Sequence, residues 1–180
     1  MKLDRDRTAL VVVDVQEAFR PVVVDFDRVA RNAAVLVQGA KVLGIPILVT
    51  EQYPKGLGHT IPEVARHLAG VDPIEKVCFS AAETDEFRER LRDGERDQVL
   101  LSGIESHVCV SQTAEDLLSR SIEVHVVQDA VSSRTEENSL LGLHKMEQAG
   151  AIRTSVETAL FELLRAAGTP EFKEVQALVK

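Results

Sequence analysis

The sequence predicts an α/β fold, a three-layer α/β/α Rossmann-like domain built on a six-stranded, mostly parallel sheet. Short runs of Val, Ile and Leu alternate with longer amphipathic segments along the 180 residues. Most runs are apolar throughout, which is typical of strands covered on both faces. Regular alternation of such strands with helices indicates a parallel sheet with helices on both sides. We expect residues 1–180 to form a single domain.

Six apolar runs rich in β-branched residues are the predicted strands, and amphipathic helices connect them. The strands are expected at 9–13, 45–50, 74–79, 98–102, 123–127 and, more weakly, 151–154. Helices are expected at 25–43, 83–93, 136–149 and 156–167, and each of them ends at a glycine. A further helix is expected to begin near Cys109, after a turn at Gly103.

Short polar residues mark three of the helix starts. Two pairs have the spacing of a capping box, in which a hydroxyl and a carboxylate satisfy each other's free backbone N–H groups. These pairs are Ser133 with Glu136 and Thr154 with Glu157. Thr169-Pro170 fits an N-cap followed by proline at the first position of a short last helix.

Composition and charge exclude several classes of function. The net charge is −8, with 29 acidic and 21 basic residues, and no basic cluster stands out. We therefore expect neither a nucleic-acid partner nor an anionic membrane surface. The first residues carry charges where a signal peptide needs an apolar core, so we expect a cytoplasmic protein. Two cysteines without a CxxC pattern predict neither a disulfide framework nor a zinc site, and we expect no cofactor.

Three chemically distinct side chains are predicted to meet at one edge of the sheet. Asp14 directly follows the first strand, Lys76 lies in the third run, and Cys109 follows the fourth strand. In open α/β sheets the ligand crevice lies at the carboxyl ends of the strands. A thiol at the start of a helix lies near unpaired N–H groups and the positive end of the helix dipole, which favour the thiolate. Cys109 is therefore the candidate nucleophile.

Each of these residues also has a structural interpretation. An Asp at a strand end often caps a turn, and a lysine in an edge strand discourages aggregation. A free cysteine is often a small core residue, and we interpret Cys78 in this way. Glu51, Gln52 and Tyr53, after the second strand, either bind a small polar ligand or form loop scaffolding. We assign other polar residues structural roles: His59 and His107 at loops or the surface, His125 in a strand, and Asp129 bracing 132–134.

Longer motifs carry a family resemblance. The segments ALVVVDVQEAF, EKVCFSA, GIESHVCVSQTAEDLLSRSIEVHVVQDAVSSR and TSVETALFELL occur in this order and cover most of the chain. They resemble the isochorismatase-like cysteine hydrolases, a family that includes nicotinamidases and carbamoylsarcosine-type amidases. VTEQYPKGLG and EFKEVQALVK are most similar to isochorismatase domain-containing proteins. The resemblance implies a catalytic triad of Asp14, Lys76 and Cys109.

The resemblance also implies how a carbonyl substrate would be held. It implies a cis peptide bond between Ile104 and Glu105, and an oxyanion hole formed by the backbone N–H groups of Glu105 and Cys109. It implies that Gln16 and Phe19 line the pocket near Asp14. With Gln52 and Tyr53, these are the predicted substrate-binding residues. The expected reaction is hydrolysis of a small amide or related C–N bond through a thioester.

Two departures from the family narrow the expected chemistry. Nicotinamidases carry an Asp-x-His…His metal site after the second strand, whereas the corresponding stretch here is TEQYPKGLGHT, so we expect no metal. Isochorismatase itself lacks the nucleophilic cysteine, so vinyl ether hydrolysis is the alternative rather than the first prediction. A redox thiol protein using Cys78 and Cys109, or a scaffold without turnover, stays open. A nucleotide-binding protein is disfavoured because the first turn is DVQEAF rather than glycine-rich.

Oligomerisation is expected from the family, whose members commonly form symmetric homo-oligomers. The predicted last helix carries Phe172, Val175 and Leu178 on one stripe. Such a stripe serves either an interface between copies or the chain's own core.

Overall fold

The computed structural model describes residues 2–180, leaving Met1 outside, and within this range one parallel sheet runs through the chain. Its strands are β1 (Thr8–Val13), β2 (Ile47–Gln52), β3 (Ile74–Lys76), β4 (Gln98–Ile104), β5 (Glu123–Ser132) and β6 (Ile152–Thr154). Their spatial order is β3-β2-β1-β4-β5-β6. Each neighbouring pair is parallel. The sheet is thus parallel throughout, where the sequence predicted a mostly parallel one.

Helices cover both faces, which confirms the three-layer prediction. They are α1 (Phe26–Leu43), α2 (Pro54–Leu57), α3 (Pro62–Ala65), α4 (Asp85–Asp93), α5 (Ser111–Ser119), α6 (Glu136–Ala149), α7 (Val156–Leu164) and α8 (Pro170–Val179). Leu10 and Val12 of β1 join a core with α1, α7 and α8, whereas Val11 and Val13 join a core with α4, α5 and α6. Successive residues of a strand point to opposite faces, so a doubly covered β1 must be apolar throughout.

Two helix starts differ from the predicted capping boxes by one or two residues. The Thr135 hydroxyl accepts from Asn138 N–H at the start of α6. The Ser155 hydroxyl accepts from Thr158 N–H at the start of α7. The predictions for Ser133 and Thr154 were therefore wrong, because each helix begins later and takes the nearest hydroxyl as its cap. The predicted cap at Thr169 is confirmed, with its hydroxyl 3.1 Å from Phe172 N.

Strand and helix lengths also differ from the predictions where tertiary contacts intervene. β3 ends at Lys76 rather than at 79. The chain turns after Lys76, so that the carbonyls of Cys78 and Phe79 accept hydrogen bonds from the Lys76 ammonium. β5 runs on to Ser132 by re-pairing with β4 after a register shift. α7 ends at Leu164 rather than at 167, since Arg165 adopts a φ of 65°.

The last helix closes the chain's own core. Val175 of α8 is fully buried among the residues that α1 contributes to the first core. Phe172 packs edge-on against Phe161 of α7, with ring centroids 6.1 Å apart. Of the two interpretations of the α8 stripe, the core is thus the one that Val175 supports. No helix within residues 2–180 combines the length and apolarity that crossing a membrane requires.

Candidate active site

Asp14 lies at the carboxyl edge of the sheet, where β1 ends between β2 and β4. It adopts a φ of 52°, a left-handed conformation that few residues other than glycine adopt readily. Its N–H donates to the carbonyl of Thr50, and its Oδ1 accepts from the Thr50 hydroxyl at 2.7 Å. The side chain is fully buried. The carboxylate is therefore fixed by β2 and aimed along the sheet edge.

Lys76 forms a buried ion pair with this carboxylate. Its Nζ lies 2.6 Å from Asp14 Oδ2, and neither side chain is exposed to solvent. Gln52 Oε1 accepts from the same ammonium at 2.7 Å, and the carbonyls of Phe79 and Cys78 lie at 3.0 and 3.2 Å. Removing two charges from water is costly unless each charge is paired and hydrogen-bonded. Here Asp14 pairs with the charge of Lys76, and Gln52 and the two carbonyls accept hydrogen bonds from its ammonium group.

Cys109 lies in a π-helical turn, Ser106–Val110, which joins β4 to α5. Its side chain is buried, and burial raises the pKa of the thiol to about 12. The charge of the Asp14 carboxylate is the second contribution to this rise, while the Lys76 ammonium opposes it. The start of a helix favours the thiolate, as expected from the sequence, but at Cys109 desolvation outweighs this effect. The three predicted residues nevertheless interact electrostatically.

Glu105 precedes this turn and ties it to the β5–α6 loop. The Ile104–Glu105 peptide bond is cis. The Glu105 carbonyl accepts from the N–H groups of Val108 and Val110, at 3.0 and 3.2 Å. Its carboxylate accepts from both the backbone N–H and the Nε of Arg134, at 3.0 and 3.1 Å. Sequence reasoning missed Arg134, although it is the last residue of the quoted segment GIESHVCVSQTAEDLLSRSIEVHVVQDAVSSR.

The predicted substrate-binding residues occupy different environments. Gln16 is fully buried, and its carboxamide bonds to the backbone of Gln52 and to Gly58. The Gln52 carboxamide bridges Lys76 and the carbonyl of Val77. Tyr53 is exposed and Phe19 is half-buried at the end of a short 3₁₀ turn. The amides of Gln16 and Gln52 thus serve the scaffold, and the substrate-binding roles stay predictions.

Glu51 also serves the scaffold. Its Oε1 accepts from the N–H and the hydroxyl of Thr60, both at 2.7 Å. Its Oε2 lies 2.9 Å from Nδ1 of the exposed His59. Burial opposes ionisation, but the bonds from Thr60 and His59 outweigh it and hold the pKa of this carboxyl below its ordinary value. For Glu51 these contacts favour loop scaffolding over ligand binding.

Other polar residues have structural contacts. Asp129 does not brace 132–134 as predicted; its Oδ1 accepts from Val156 N–H at 2.9 Å, because the first N–H groups of α7 need an acceptor. His125 is buried, with Nε2 2.7 Å from a carboxylate oxygen of Glu123. Cys78 is half-buried, and its Sγ lies 3.5 Å from the Thr84 hydroxyl. Across residues 2–180, no group of three or more His, Cys, Asp or Glu side chains is arranged to hold a metal ion.

Comparisons with known proteins agree with this architecture. The family model for the isochorismatase domain matches residues 8–158. Isochorismatase domain-containing protein 2 of Danio rerio is 42% identical over 179 residues, which cover 99% of this chain and 89% of that relative. The secreted isochorismatase effector Isc1 of Phytophthora sojae is 41% identical over 177 residues, covering 96% of this chain and 84% of the effector.

Solved structures share the fold along nearly the whole chain. A structure described as the MAR1 ribonuclease of Caenorhabditis elegans has a TM-score of 0.95 at 41% identity, covering 99% of this chain and 92% of that one. The YcaC gene product of Escherichia coli, described as an octameric hydrolase of unknown specificity, has a TM-score of 0.92 at 22% identity, covering 99% and 90%. The chain belongs to the isochorismatase domain family.

Proposed function

We propose that this chain is a cysteine hydrolase that cleaves a small amide or related C–N bond with Asp14, Lys76 and Cys109. The observation that carries the proposal is the buried ion pair of Asp14 and Lys76, whose charged atoms lie 2.6 Å apart. In addition to burial, both charges shift the pKa of the Cys109 thiol, Asp14 upward and Lys76 downward. Ion pairs of this kind beside a buried nucleophile are typical of functional sites. A purely structural pair would have no need of a neighbouring thiol.

The reaction begins from a protonated thiol. Asp14 takes the Cys109 proton as sulfur attacks the substrate carbonyl carbon, so that no free thiolate accumulates. The tetrahedral intermediate collapses by breaking the C–N bond, and Asp14 returns its proton to the leaving nitrogen. The product is a thioester on Cys109 and a released amine or ammonia. Lys76 stabilises the carboxylate form of Asp14 and thereby keeps the base ready.

Asp14 acts again as base and then as acid when the thioester is hydrolysed. Asp14 removes a proton from water, the resulting oxygen nucleophile attacks the thioester carbon, and the C–S bond breaks. The thiol recovers the proton from Asp14, and the carboxylic acid leaves. We assign the backbone N–H groups of Glu105 and Cys109 to the oxyanion of both tetrahedral intermediates. Loss of one such donor typically costs about 10²–10³ in kcat.

The deciding experiment is a search for an acyl adduct on Cys109. The protein is incubated with small amides, ureas and carbamoyl compounds, and its tryptic peptides are analysed by mass spectrometry. We expect an adduct on the Cys109 peptide, none on the Cys78 peptide, and loss of both adduct and turnover in Cys109→Ala. Amide turnover that survives in Cys109→Ala would overturn the thioester mechanism, whereas turnover of a vinyl ether alone, undiminished in Cys109→Ala, would favour vinyl ether hydrolysis, which needs no thiol.

A ribonuclease is the second candidate, since the Caenorhabditis elegans structure of 41% identity is described as one. The net charge of −8 weighs against binding a polyanion. Incubation with single-stranded RNA separates the two activities. RNA cleavage that copurifies with the protein and disappears in Cys109→Ala would replace the amide proposal, whereas intact RNA would support it.

A redox role would instead give a mass loss of about 2 Da after mild oxidation, as two thiols form a disulfide.

We also propose that residues 1–180 act as one hydrolase domain, in the cytoplasm, and that copies of it associate. Val77 is 78% exposed and Phe79 is 53% exposed beside the candidate site, an apolar patch of the kind found at interfaces. Light scattering after gel filtration tests the association. We expect a mass that is a multiple of the 19.8 kDa protomer, and Val77→Lys should lower it.

A further inference from the structure

Gln52 fixes the position of the Lys76 ammonium. Its Oε1 accepts from Nζ at 2.7 Å, while its Nε2 donates to the carbonyl of Val77 at 2.8 Å. The second bond determines which end of the carboxamide faces Lys76, since a reversed amide would place its NH₂ group against the ammonium. A lysine side chain is a point charge on a flexible stem, so its position depends on such fixed acceptors.

Gln16 fixes Gln52 in turn. The Gln16 Oε1 accepts from Gln52 N–H at 2.8 Å, and its Nε2 donates to the Gln52 carbonyl at 3.0 Å. The same Nε2 donates to the carbonyl of Gly58 at 2.6 Å, so both amide hydrogens are used. Gln16 is fully buried. It therefore joins the segment after β1, the end of β2 and the loop before α3 at one point.

These bonds close a ring around the ion pair. The Asp14 carbonyl accepts from Gln16 N–H at 2.8 Å, Gln16 holds the Gln52 backbone, Gln52 holds Lys76, and Lys76 returns to Asp14 at 2.6 Å. Gln52 and Lys76 are also partners in the β2–β3 register. A ring of this kind leaves the ammonium few alternative positions, because moving it breaks several bonds together.

We propose that Gln16 and Gln52 are positioning residues that hold the Lys76 ammonium against Asp14 beside the Cys109 thiol. The inference rests on the proposed function, because it assigns these amides to the proposed triad rather than to substrate. The role is one of geometry, since Gln52 reaches Cys109 only through Lys76. Its removal should therefore alter the ionisation of the thiol more than the binding of substrate.

The test measures how fast iodoacetamide alkylates Cys109 at each pH, read from the Cys109 peptide. Gln52→Met keeps the side-chain length and removes the amide, and Gln112→Leu on the exposed surface of α5 is the matched control. A misplaced ammonium stabilises the thiolate less. We therefore expect Gln52→Met to shift the pH dependence of the alkylation rate to higher pH, by about one pH unit. We expect a fall in kcat of about tenfold or more at a nearly constant KM, and no change for Gln112→Leu.

Gln16→Met is a second variant, expected to shift the profile in the same direction. Thermal unfolding is recorded for each variant, so that lost stability is separated from lost positioning. A lower Tm with an unmoved alkylation profile in Gln52→Met would overturn the inference and leave a structural role. The acyl-adduct screen on the wild-type protein tests the proposed function by itself. An absent adduct would contradict the proposed function, whereas an unmoved alkylation profile would contradict the positioning role of Gln52.

Discussion

The backbone of Ser106 lies so close to Gly142 that a Cβ on Gly142 would fall 2.5 Å from the Ser106 carbonyl atoms. The same Cβ would lie 2.6 Å from His107 N. Gly142 belongs to α6, and Ser106 begins the π-helical turn that carries Cys109. The absence of a side chain at position 142 thus sets how closely α6 packs against the candidate nucleophile.

Gly142→Ala should therefore destabilise the fold and displace the turn. The obstacle is backbone rather than a flexible side chain, so we expect a loss of about 1–3 kcal/mol in the free energy of unfolding. Gly94→Ala is the control, since Gly94 has an ordinary φ of −74° and a Cβ there would approach its nearest neighbour, the Arg90 carbonyl oxygen, no closer than an ordinary 3.4 Å. It should change stability by less than about 1 kcal/mol, in the stabilising direction. Urea unfolding of both variants measures the difference, and equal effects would contradict the packing argument.

The resting thiol should titrate far above neutrality. With a pKa of about 12, the alkylation rate of Cys109 should rise about tenfold per pH unit through pH 10 without a plateau. Because the Asp14 charge contributes to this high pKa, Asp14→Asn should move the profile to lower pH. The Cys78 peptide of the same digest is the internal reference. A plateau below pH 8 in the wild-type protein would mean a resting thiolate.

Breaking the buried ion pair should cost more than removing it. Lys76→Met leaves Asp14 buried without its cation, so we expect a loss of about 3–5 kcal/mol in unfolding free energy. The double variant Asp14→Asn/Lys76→Met removes both charges and should recover most of that loss. Urea denaturation of the wild-type protein, Asp14→Asn, Lys76→Met and the double variant gives the coupling. Additive losses would show that the two groups do not stabilise each other.

The His59–Glu51 pair should contribute to stability within a limited pH range. The bond to Glu51 raises the pKa of His59, so its contribution is complete below the unfolded value near 6.5 and is lost as pH rises through the folded pKa. The carboxyl of Glu51, with its lowered pKa, contributes above 4.5 and loses that contribution as pH falls.

Nuclear magnetic resonance titration of the imidazole measures this directly. Glu51→Gln removes the charge and should bring the His59 pKa down toward its ordinary value. His144, exposed on α6, provides a reference signal in the same spectra. A His59 titration that is identical in wild-type and Glu51→Gln protein would show that the contact is absent in solution.

Local sequence predicted those features that depend on local chemistry. The apolar run of β1 followed by Asp14 located a carboxylate at the sheet edge, and Gly103 with Cys109 located the thiol beyond β4. The thiol's ionisation could not be predicted in this way, because burial is set by α6 and the rest of the core. The role of Gln16 was equally hidden, since its partners are backbone atoms of Gln52 and Gly58, distant in sequence.

The strand order has a kinetic consequence. Asp14, Lys76 and Cys109 come from three distant segments, and they meet only when β3, β2, β1 and β4 are paired. Contacts between distant segments form late. Closing a long loop lowers the chain entropy before the new contacts supply any stabilising free energy. No early folding intermediate should therefore possess the charge pair, and recovery of activity during refolding reports the completed pairing of these four strands, the edge strand β3 included.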